Sequence, residues 1–308
     1  MYLIAIAGAT ASGKTDLAIT LAKYFDAEIL SCDARQFYKE MSIGTAKPTE
    51  DQLKAATHHF IDNLSIHETY TVGDYEQEVL AFLDEYFKRK KVAILVGGSG
   101  LFYRAICEGL LNPFPEISTE SREKIEMLYS EQGLAGLQNL LQKVDPVYYE
   151  KVDIQNPRRL IRALEVYTES GKPFSSFRQD INENLVLPTV KRPFKVIKIG
   201  LTWDRQVLYD RINYRVLLMQ AQGLEAEARA LYPYKELLPL QTVGYREYFD
   251  YWDGKLPDMK TVIEKIQQNT RNYAKRQTTW FNKEANLHNF SAPHNTSEII
   301  AYLEKQIF

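Results

Sequence analysis

Eight consecutive residues near the N-terminus combine glycines, a lysine and a threonine at the spacing of a phosphate-binding loop. They match G-x-x-x-x-G-K-[ST] and are Gly8, Ala9, Thr10, Ala11, Ser12, Gly13, Lys14 and Thr15. In such a loop the glycines let successive backbone N–H groups converge on an anion, and the lysine reaches terminal phosphate oxygens. The Thr15 hydroxyl can hold Mg²⁺. The segment predicts a diphosphate or triphosphate site, and its position between a strand and a helix argues against a chance match.

A phosphate-binding loop of this kind usually works together with a carboxylate. Enzymes that move phosphoryl groups with this loop normally carry an acidic residue at the end of a later strand, where it organises Mg²⁺. The later strand here, residues 91–96, is followed by Gly97-Gly98-Ser99-Gly100 and no acid. The nearest candidate is Asp33, which follows the second strand at the sheet edge where open α/β sheets bind ligands. The alternative is that Asp33 only caps the turn after it.

Parallel β-strands covered by helices are the elements expected to position these residues. Apolar segments rich in β-branched residues alternate with helical patterns, which favours an α/β fold with a P-loop NTPase-like parallel sheet. The predicted strands are residues 2–7, 28–31, 91–96, 195–201 and 287–290.

The pattern changes between residues 114 and 190, where strand signals stop. Short helices are expected there at residues 118–130, 134–144 and 157–170. We therefore expect residues 1–114 and 190–308 to form the α/β catalytic core and residues 115–189 to form an inserted all-helical domain.

Two long helices are predicted in the second half of the core, with a final helix at residues 297–308. Residues 259–282 form one of the long helices. Residues 204–231 form the other, with Gly223 as its weak point and an inward face of Leu208, Ile212, Val216, Leu217 and Leu224.

Composition excludes several classes of protein. The 308 residues carry a formal charge of −2, so any nucleic-acid surface must be a local patch. The longest apolar runs fall far short of the ~20 residues of a membrane span, and no secretory signal is recognisable. Cys32 and Cys107 lack metal-site spacing and are expected in the core. We expect a cytoplasmic protein without a membrane partner.

Six further segments resemble the tRNA dimethylallyltransferases, also called isopentenyl-tRNA transferases, and follow in order after the phosphate loop. They are residues 31–38 (SCDARQFY), 41–48 (MSIGTAKP), 96–103 (VGGSGLFY), 156–165 (NPRRLIRALE), 243–247 (VGYRE) and 274–280 (AKRQTTW). The likeness is to the bacterial type. Ala9 and Ser99 depart from it, since the family commonly has proline and threonine there.

The resemblance implies transfer of a dimethylallyl group from dimethylallyl diphosphate to an adenosine of tRNA. The acceptor is N6 of the adenosine adjacent to the anticodon, in tRNAs that read codons starting with U. The phosphate loop then holds a prenyl diphosphate instead of ATP, which explains the missing strand-end acid because no phosphoryl group moves. The implied cofactor is Mg²⁺, the implied partner is the tRNA anticodon stem-loop, and a monomer is expected.

The resemblance also implies roles for individual residues. Asp33 becomes the general base that accepts the N6 proton. Thr10, Lys14 and Arg215 stabilise the departing diphosphate, which the whole loop binds. The residues expected to contact tRNA are Asp33, Ala34, Arg35, Gln36, Ser99, Arg122, Arg158, Arg159, Leu160, Ile161, Arg162, Gln241, Thr242, Val243, Gly244, Tyr245 and Arg246.

Simpler interpretations of the arginines remain open from spacing alone. Arg211 and Arg215 lie four apart on one helix face, where both could be solvated. Arg158, Arg159 and Arg162 also fit an ordinary charged helix face. Two other functions compete with tRNA prenylation: an adenylate dimethylallyltransferase acting on free nucleotide, and a P-loop nucleotide-dependent RNA-binding protein.

Overall fold

A computed structural model describes residues 1–109, 114–178 and 191–308. The chain divides into two compact units. The first comprises Met1–Leu110 with Lys191–Phe308, and the second is Leu111–Val190. The expected domain boundary at residue 190, and residues 179–189 of the expected insertion, lie outside the described residues.

In the described residues of the first unit, six parallel strands form one sheet, which confirms the predicted α/β class. In chain order the strands are β1 (Tyr2–Gly8), β2 (Ile29–Ser31), β3 (His58–His59), β4 (Val92–Val96), β5 (Lys195–Thr202) and β6 (His288–Ser291). Their order across the sheet is β3-β2-β4-β1-β5-β6. The central strand β1 places Ile4 beside Ile94 of β4 and Ile197 of β5. The sequence did not predict β3, because two residues are too short to show a pattern.

Twelve α-helices occur in the described parts of the chain. They are α1 (Lys14–Phe25), α2 (Glu50–Ala55), α3 (Val72–Tyr86), α4 (Gly100–Glu108), α5 (Thr119–Val144), α6 (Pro146–Tyr149), α7 (Pro157–Ser170), α8 (Arg205–Ala221), α9 (Leu224–Leu231), α10 (Arg246–Trp252), α11 (Met259–Phe281) and α12 (Thr296–Ile307). Short 3₁₀ turns lie at Phe174–Arg178, Tyr232–Tyr234 and Leu238–Leu240. Where the chain is described, no helix is long and apolar enough to cross a bilayer.

Both faces of the sheet are covered, because alternate residues of β1 enter different buried clusters. Ile4 belongs to a cluster with Leu21 of α1 and Leu303 of α12. Leu3 belongs to a second cluster with Val79 of α3. Cys32 and Cys107 are buried in this second cluster, as predicted. A strand that is apolar on both faces is typical of a parallel sheet between helix layers.

The single helix predicted for residues 204–231 is wrong in two respects. Gly223 has φ +100° and separates α8 from α9, so the weak point is a break. Leu208, Ile212 and Val216 are buried as predicted, but Leu217 is 51% exposed. The buried residues are spaced by four, and Leu217 lies about 100° around the helix from Val216, outside that stripe.

The second unit is helical over its described residues, 114–178. Gly133 has non-helical angles inside α5 and divides it into the two helices that the sequence predicted. Leu137 and Leu141 of α5 pack in one buried cluster with Leu160 and Leu164 of α7. This packing directs the polar side of α7 away from the core.

Candidate functional site

The phosphate-binding loop joins β1 to α1 with several residues in the left-handed backbone region. Gly13 has φ +91° and precedes α1, and Ala11 has φ +64°. Nζ of Lys14 donates a hydrogen bond to the Ala9 carbonyl at 2.7 Å. Burial, followed by the charge of Arg215, lowers the pKa of Lys14 to about 8. The loop therefore holds a cation whose charge an incoming anion would stabilise.

Two side chains, Arg211 of α8 and Trp203 just before this helix, donate hydrogen bonds to the phosphate loop. Nε of Arg211 donates to the Ala11 carbonyl at 2.9 Å, and Nε1 of Trp203 donates to the Ser12 carbonyl at 3.0 Å. The Arg211 guanidinium lies 4.3 Å from the centre of the Trp203 ring. Arg211 therefore fixes the backbone of the loop and is not simply a solvated arginine.

Arg215, one turn further along α8, points at the open side of the same loop. Its Nη1 lies 3.4 Å from Oγ1 of Thr10, the distance of a weak hydrogen bond. Burial, and then the charge of Arg211, lowers the pKa of Arg215. Among the described residues no carboxylate forms an ion pair with Arg215, although the charge of Asp16 acts on it. Burying such a cation is costly, which favours an anionic ligand at this position.

Gln277 of α11 connects the phosphate loop to the loop after β4. Its Oε1 accepts from the Thr10 backbone N–H at 2.8 Å, and its Nε2 donates to the Gly98 carbonyl at 2.8 Å. Gln277 is only 5% exposed. A Cβ at Gly98 would lie 2.1 Å from Nε2, so a larger residue there would displace the Gln277 amide.

Asp33 follows β2 at the same sheet edge as the phosphate loop. Its Oδ1 accepts from the Arg35 backbone N–H at 3.1 Å, so Asp33 does cap the turn, as the alternative interpretation held. Gly97 makes the approach possible, because a Cβ there would lie 2.9 Å from the Asp33 nitrogen. Burial raises the pKa of Asp33, while the Arg35 N–H and Lys14 oppose the rise. Such a carboxylate is a stronger base than one in water.

A cavity of about 910 Å³ brings most of the predicted residues of the first unit together. Those that line it are Thr10, Ala11, Ser12, Gly13, Lys14, Thr15, Asp33, Arg35, Gln36, Arg215, Gln241, Thr242, Val243, Gly244 and Arg246. Five predicted residues of this unit are not among those that line the cavity: Gly8, Ala9, Ala34, Ser99 and Tyr245. Tyr245 is 0% exposed, so its side chain packs inside the protein.

The predicted residues of the second unit lie on α5 and α7. Arg122, Arg158 and Arg159 are exposed. Arg162 is half-buried, with Nη1 3.6 Å from Glu165. Leu160 is fully buried in the cluster of this unit, so it anchors α7 by packing.

Sequence reasoning assigned no role to three residues near the cavity. Gln277 lies in segment 274–280, and the resemblance of that segment to the family is the sequence signal that could have identified it. Tyr273 lines the cavity, and burial followed by the charge of Asp33 raises the pKa of its hydroxyl. Glu227 of α9 accepts hydrogen bonds from the backbone N–H groups of Ser42, Ile43 and Gly44, which line the cavity. No local sequence pattern reveals these contacts.

The donors for a metal ion are few. No cluster of three or more His, Cys, Asp or Glu side chains suited to a metal occurs within residues 1–109, 114–178 and 191–308. Thr15 and Asp16, both in the first turn of α1, line the cavity. One hydroxyl and one carboxylate fit a divalent ion that takes its other ligands from diphosphate oxygens and water, as Mg²⁺ usually does.

Comparisons with known proteins agree with one another. Residues 36–284 match the family model for IPP transferase. The tRNA dimethylallyltransferase of Christiangramia forsetii is 50% identical over 306 residues, 99% of this chain and 98% of that protein. The full-length tRNA isopentenylpyrophosphate transferase of Bacillus halodurans has a similar crystal structure, with TM-score 0.72, 33% identity and coverage of 99% and 96%. For a eukaryotic dimethylallyltransferase acting on tRNA, the TM-score is 0.76 at 25% identity, with coverage of 94% and 74%.

Proposed function

This chain belongs to the IPP transferase family, and from that premise we propose that the cavity beside its phosphate loop is the active site of a tRNA dimethylallyltransferase. The protein is a prenyltransferase that transfers a dimethylallyl group to tRNA. Its donor is dimethylallyl diphosphate. Its acceptor is N6 of the adenosine adjacent to the anticodon in tRNAs that read codons starting with U.

The observation that carries this proposal is that one cavity joins a diphosphate-binding loop to a buried carboxylate. Lys14 and Arg215 supply positive charge beside the loop. Burial and Arg215 lower the pKa of Lys14, and the nearby charge of Asp33 opposes this lowering. A leaving diphosphate and a proton acceptor are the two groups that N-prenylation requires.

The diphosphate is the leaving group. As the bond between the allylic carbon and the diphosphate oxygen breaks, negative charge grows on the diphosphate. Lys14, Arg215, the Thr10 hydroxyl and the loop N–H groups face that charge and lower the barrier. No phosphoryl group is transferred, so the mechanism needs no acidic residue after β4.

Asp33 acts on the acceptor, the N6 amine of the adenosine. The N6 lone pair is delocalised into the adenine ring, so the amine becomes nucleophilic only as its proton departs. A carboxylate of Asp33 accepts that proton while the C–N bond forms, a contribution of roughly 10²–10⁴ in rate. The hydrogen bond from Arg35 N–H to Oδ1 orients the group.

Thr15, with Asp16 beside it, would hold the divalent cation, which we propose to be Mg²⁺. When bound, the cation neutralises charge on the diphosphate. We also propose that the protein acts as a monomer.

The adenosine must leave the anticodon-loop stack to reach Asp33, as base-modifying enzymes require. We propose that Asp33–Gln36, Ser99 and Gln241–Arg246 contact the tRNA around that base. Arg122 and residues 158–162 contact it from the second unit, where exposed arginines suit phosphate oxygens. Leu160 and Tyr245 contribute backbone only, because their side chains are buried.

Labelled dimethylallyl diphosphate tests the proposal. Purified protein with Mg²⁺ should move the label to unmodified tRNA with adenosine at that position, and nuclease digestion should return N6-dimethylallyladenosine. The same tRNA with guanosine there is the matched control and should stay unlabelled. Label on free AMP but not on tRNA would identify an adenylate dimethylallyltransferase. Tight ATP binding without prenyl transfer would identify a nucleotide-dependent RNA-binding protein.

A further inference from the structure

The carboxylate of Glu227 accepts hydrogen bonds from three consecutive backbone N–H groups of another part of the chain. Oε2 is 3.0 Å from the Ser42 nitrogen and 2.8 Å from the Ile43 nitrogen. Oε1 is 2.9 Å from the Gly44 nitrogen. Glu227 lies on α9, 183 residues or more along the chain from these donors. The bonds therefore hold two distant segments together.

A fourth donor comes from a third segment. The Tyr245 hydroxyl donates to the same Oε1 at 2.7 Å. The Tyr245 ring covers Gly44, because a Cβ there would lie 2.5 Å from the ring. One carboxylate thus fixes both the backbone of residues 42–44 and the side chain that packs on it.

Both segments form the wall of the cavity. Ser42, Ile43 and Gly44 line it, and so do Val243, Gly244 and Arg246 on either side of Tyr245. The segment 241–246 is also one that we propose contacts tRNA. The phosphate loop is instead bonded to Gln277, Trp203, Arg211 and Arg215, and among the described contacts none of these four is bonded to Glu227.

We infer that Glu227 is a positioning residue for the tRNA substrate: its carboxylate fixes residues 42–44 and Tyr245 as one preformed wall against which the acceptor nucleoside is placed. This role rests on the proposed function. Because the bonds of Glu227 go to this wall and those described for the phosphate loop go to other residues, Glu227 should influence the KM for tRNA far more than the KM for dimethylallyl diphosphate.

The chemistry of the contact requires a carboxylate. Each oxygen accepts from two donors, so both ends of the group must be acceptors. In Glu227→Gln one end becomes an NH₂ group, and either orientation of the amide sets it against at least one backbone N–H that can only donate. Glutamine has nearly the same shape, so this substitution tests the hydrogen bonds with little change in packing.

Steady-state kinetics on the full-length protein, with tRNA and dimethylallyl diphosphate varied separately, test the inference. Glu227→Gln should raise the KM for tRNA by about tenfold or more, since bonds to charged acceptors are the strong ones. The KM for dimethylallyl diphosphate should stay unchanged. Glu225→Gln is the matched control: it lies on the same helix, is 45% exposed and pairs only with Arg229 at 3.5 Å among the contacts described. Its kinetics should equal those of the wild type.

Tyr245→Phe gives a second, milder test that keeps Glu227 and its three backbone bonds. It should raise the KM for tRNA by a smaller factor, about threefold, in protein with a normal circular dichroism spectrum. An unchanged KM for tRNA in folded Glu227→Gln, or an equal rise for both substrates, would overturn the inference. Wild-type protein that labels no tRNA would instead overturn the proposed function, and the inference with it.

Discussion

The side chain of Gln277 accepts a hydrogen bond from the Thr10 backbone N–H at 2.8 Å, although 267 positions separate the two residues. The same side chain donates to the Gly98 carbonyl. Helix α11 therefore fixes the phosphate loop against the loop after β4. Thr10 is also the residue whose hydroxyl faces Arg215, so the orientation of a catalytic candidate depends on a distant amide.

Replacing Gln277 with glutamate should weaken the binding of dimethylallyl diphosphate. A glutamate oxygen would face the Gly98 carbonyl without a hydrogen to donate, and an unsatisfied buried polar group costs about 1–3 kcal/mol. We expect the loop to shift and the Kd for dimethylallyl diphosphate to rise about tenfold, measured by calorimetry without tRNA.

Gln268→Glu is the matched control, because Gln268 is an exposed glutamine on the same helix. Its Kd should equal that of the wild type. An unchanged Kd in folded Gln277→Glu would show that the loop holds its shape without this bond.

Asp33→Asn should separate binding from chemistry. Asparagine can still accept the Arg35 N–H and keep the turn, but it cannot take a proton from N6. The single-turnover rate should fall by roughly 10²–10⁴-fold while both substrates still bind. Asp84→Asn, an exposed carboxylate on α3, should be as fast as the wild type. A modest loss for Asp33→Asn would exclude Asp33 as the base.

The fold was largely predictable from the sequence, because its signals are local. Five of six strands follow from apolar runs, and the loop from a motif of eight residues. The sequence indicated Gly223 as a weak point of the helix 204–231 but did not predict that the helix ends there, and it wrongly placed Leu217 on the inward face. A local pattern carries no information about the tertiary packing of α8 and α9, so it could not show that these are two helices.

The site was predictable only in part. Thr10, Lys14 and Asp33 follow strand ends, so the parallel sheet brings them to one edge, and the resemblance supplied Arg215. Gln277 contacts Thr10 across 267 positions of the chain, and Glu227 contacts Gly44 across 183. Neither residue type nor spacing encodes such contacts, because they arise only when α9 and α11 pack.

The pH dependence of dimethylallyl diphosphate binding should report Lys14. Its pKa is lowered to about 8, so the free protein loses this positive charge as the pH rises through 8. The charged form binds the anion, and the Kd should therefore be constant below pH 7 and approach a tenfold rise per pH unit well above pH 8.

Lys14→Arg supplies the control, because arginine keeps its charge throughout this range. Its binding should be weaker than that of the wild type at neutral pH, since a planar guanidinium differs in shape from the ammonium group that bonds the Ala9 carbonyl, but it should vary little between pH 7 and 9.5. Equal pH profiles for the two proteins would assign the titration to another group.

The arginines of α7 should contribute to tRNA affinity through its phosphates. Arg158 and Arg159 are exposed in the first turn, while the buried Leu160 fixes the helix that carries them. The double variant Arg158→Gln, Arg159→Gln should weaken tRNA binding and leave the Kd for dimethylallyl diphosphate unchanged. Each lost contact to a single-stranded phosphate should make the slope of log K against log salt shallower by about 0.7.

Lys143→Gln, at the end of α5, removes an exposed charge of the same unit that lies outside the proposed contacts. Filter binding of labelled tRNA from low to high salt should show a shallower slope for the double variant and an unchanged slope for the control. If the slopes agree, the arginines form an ordinary solvated helix face. If both variants change equally, the unit attracts RNA through its total charge and not through contacts made by α7.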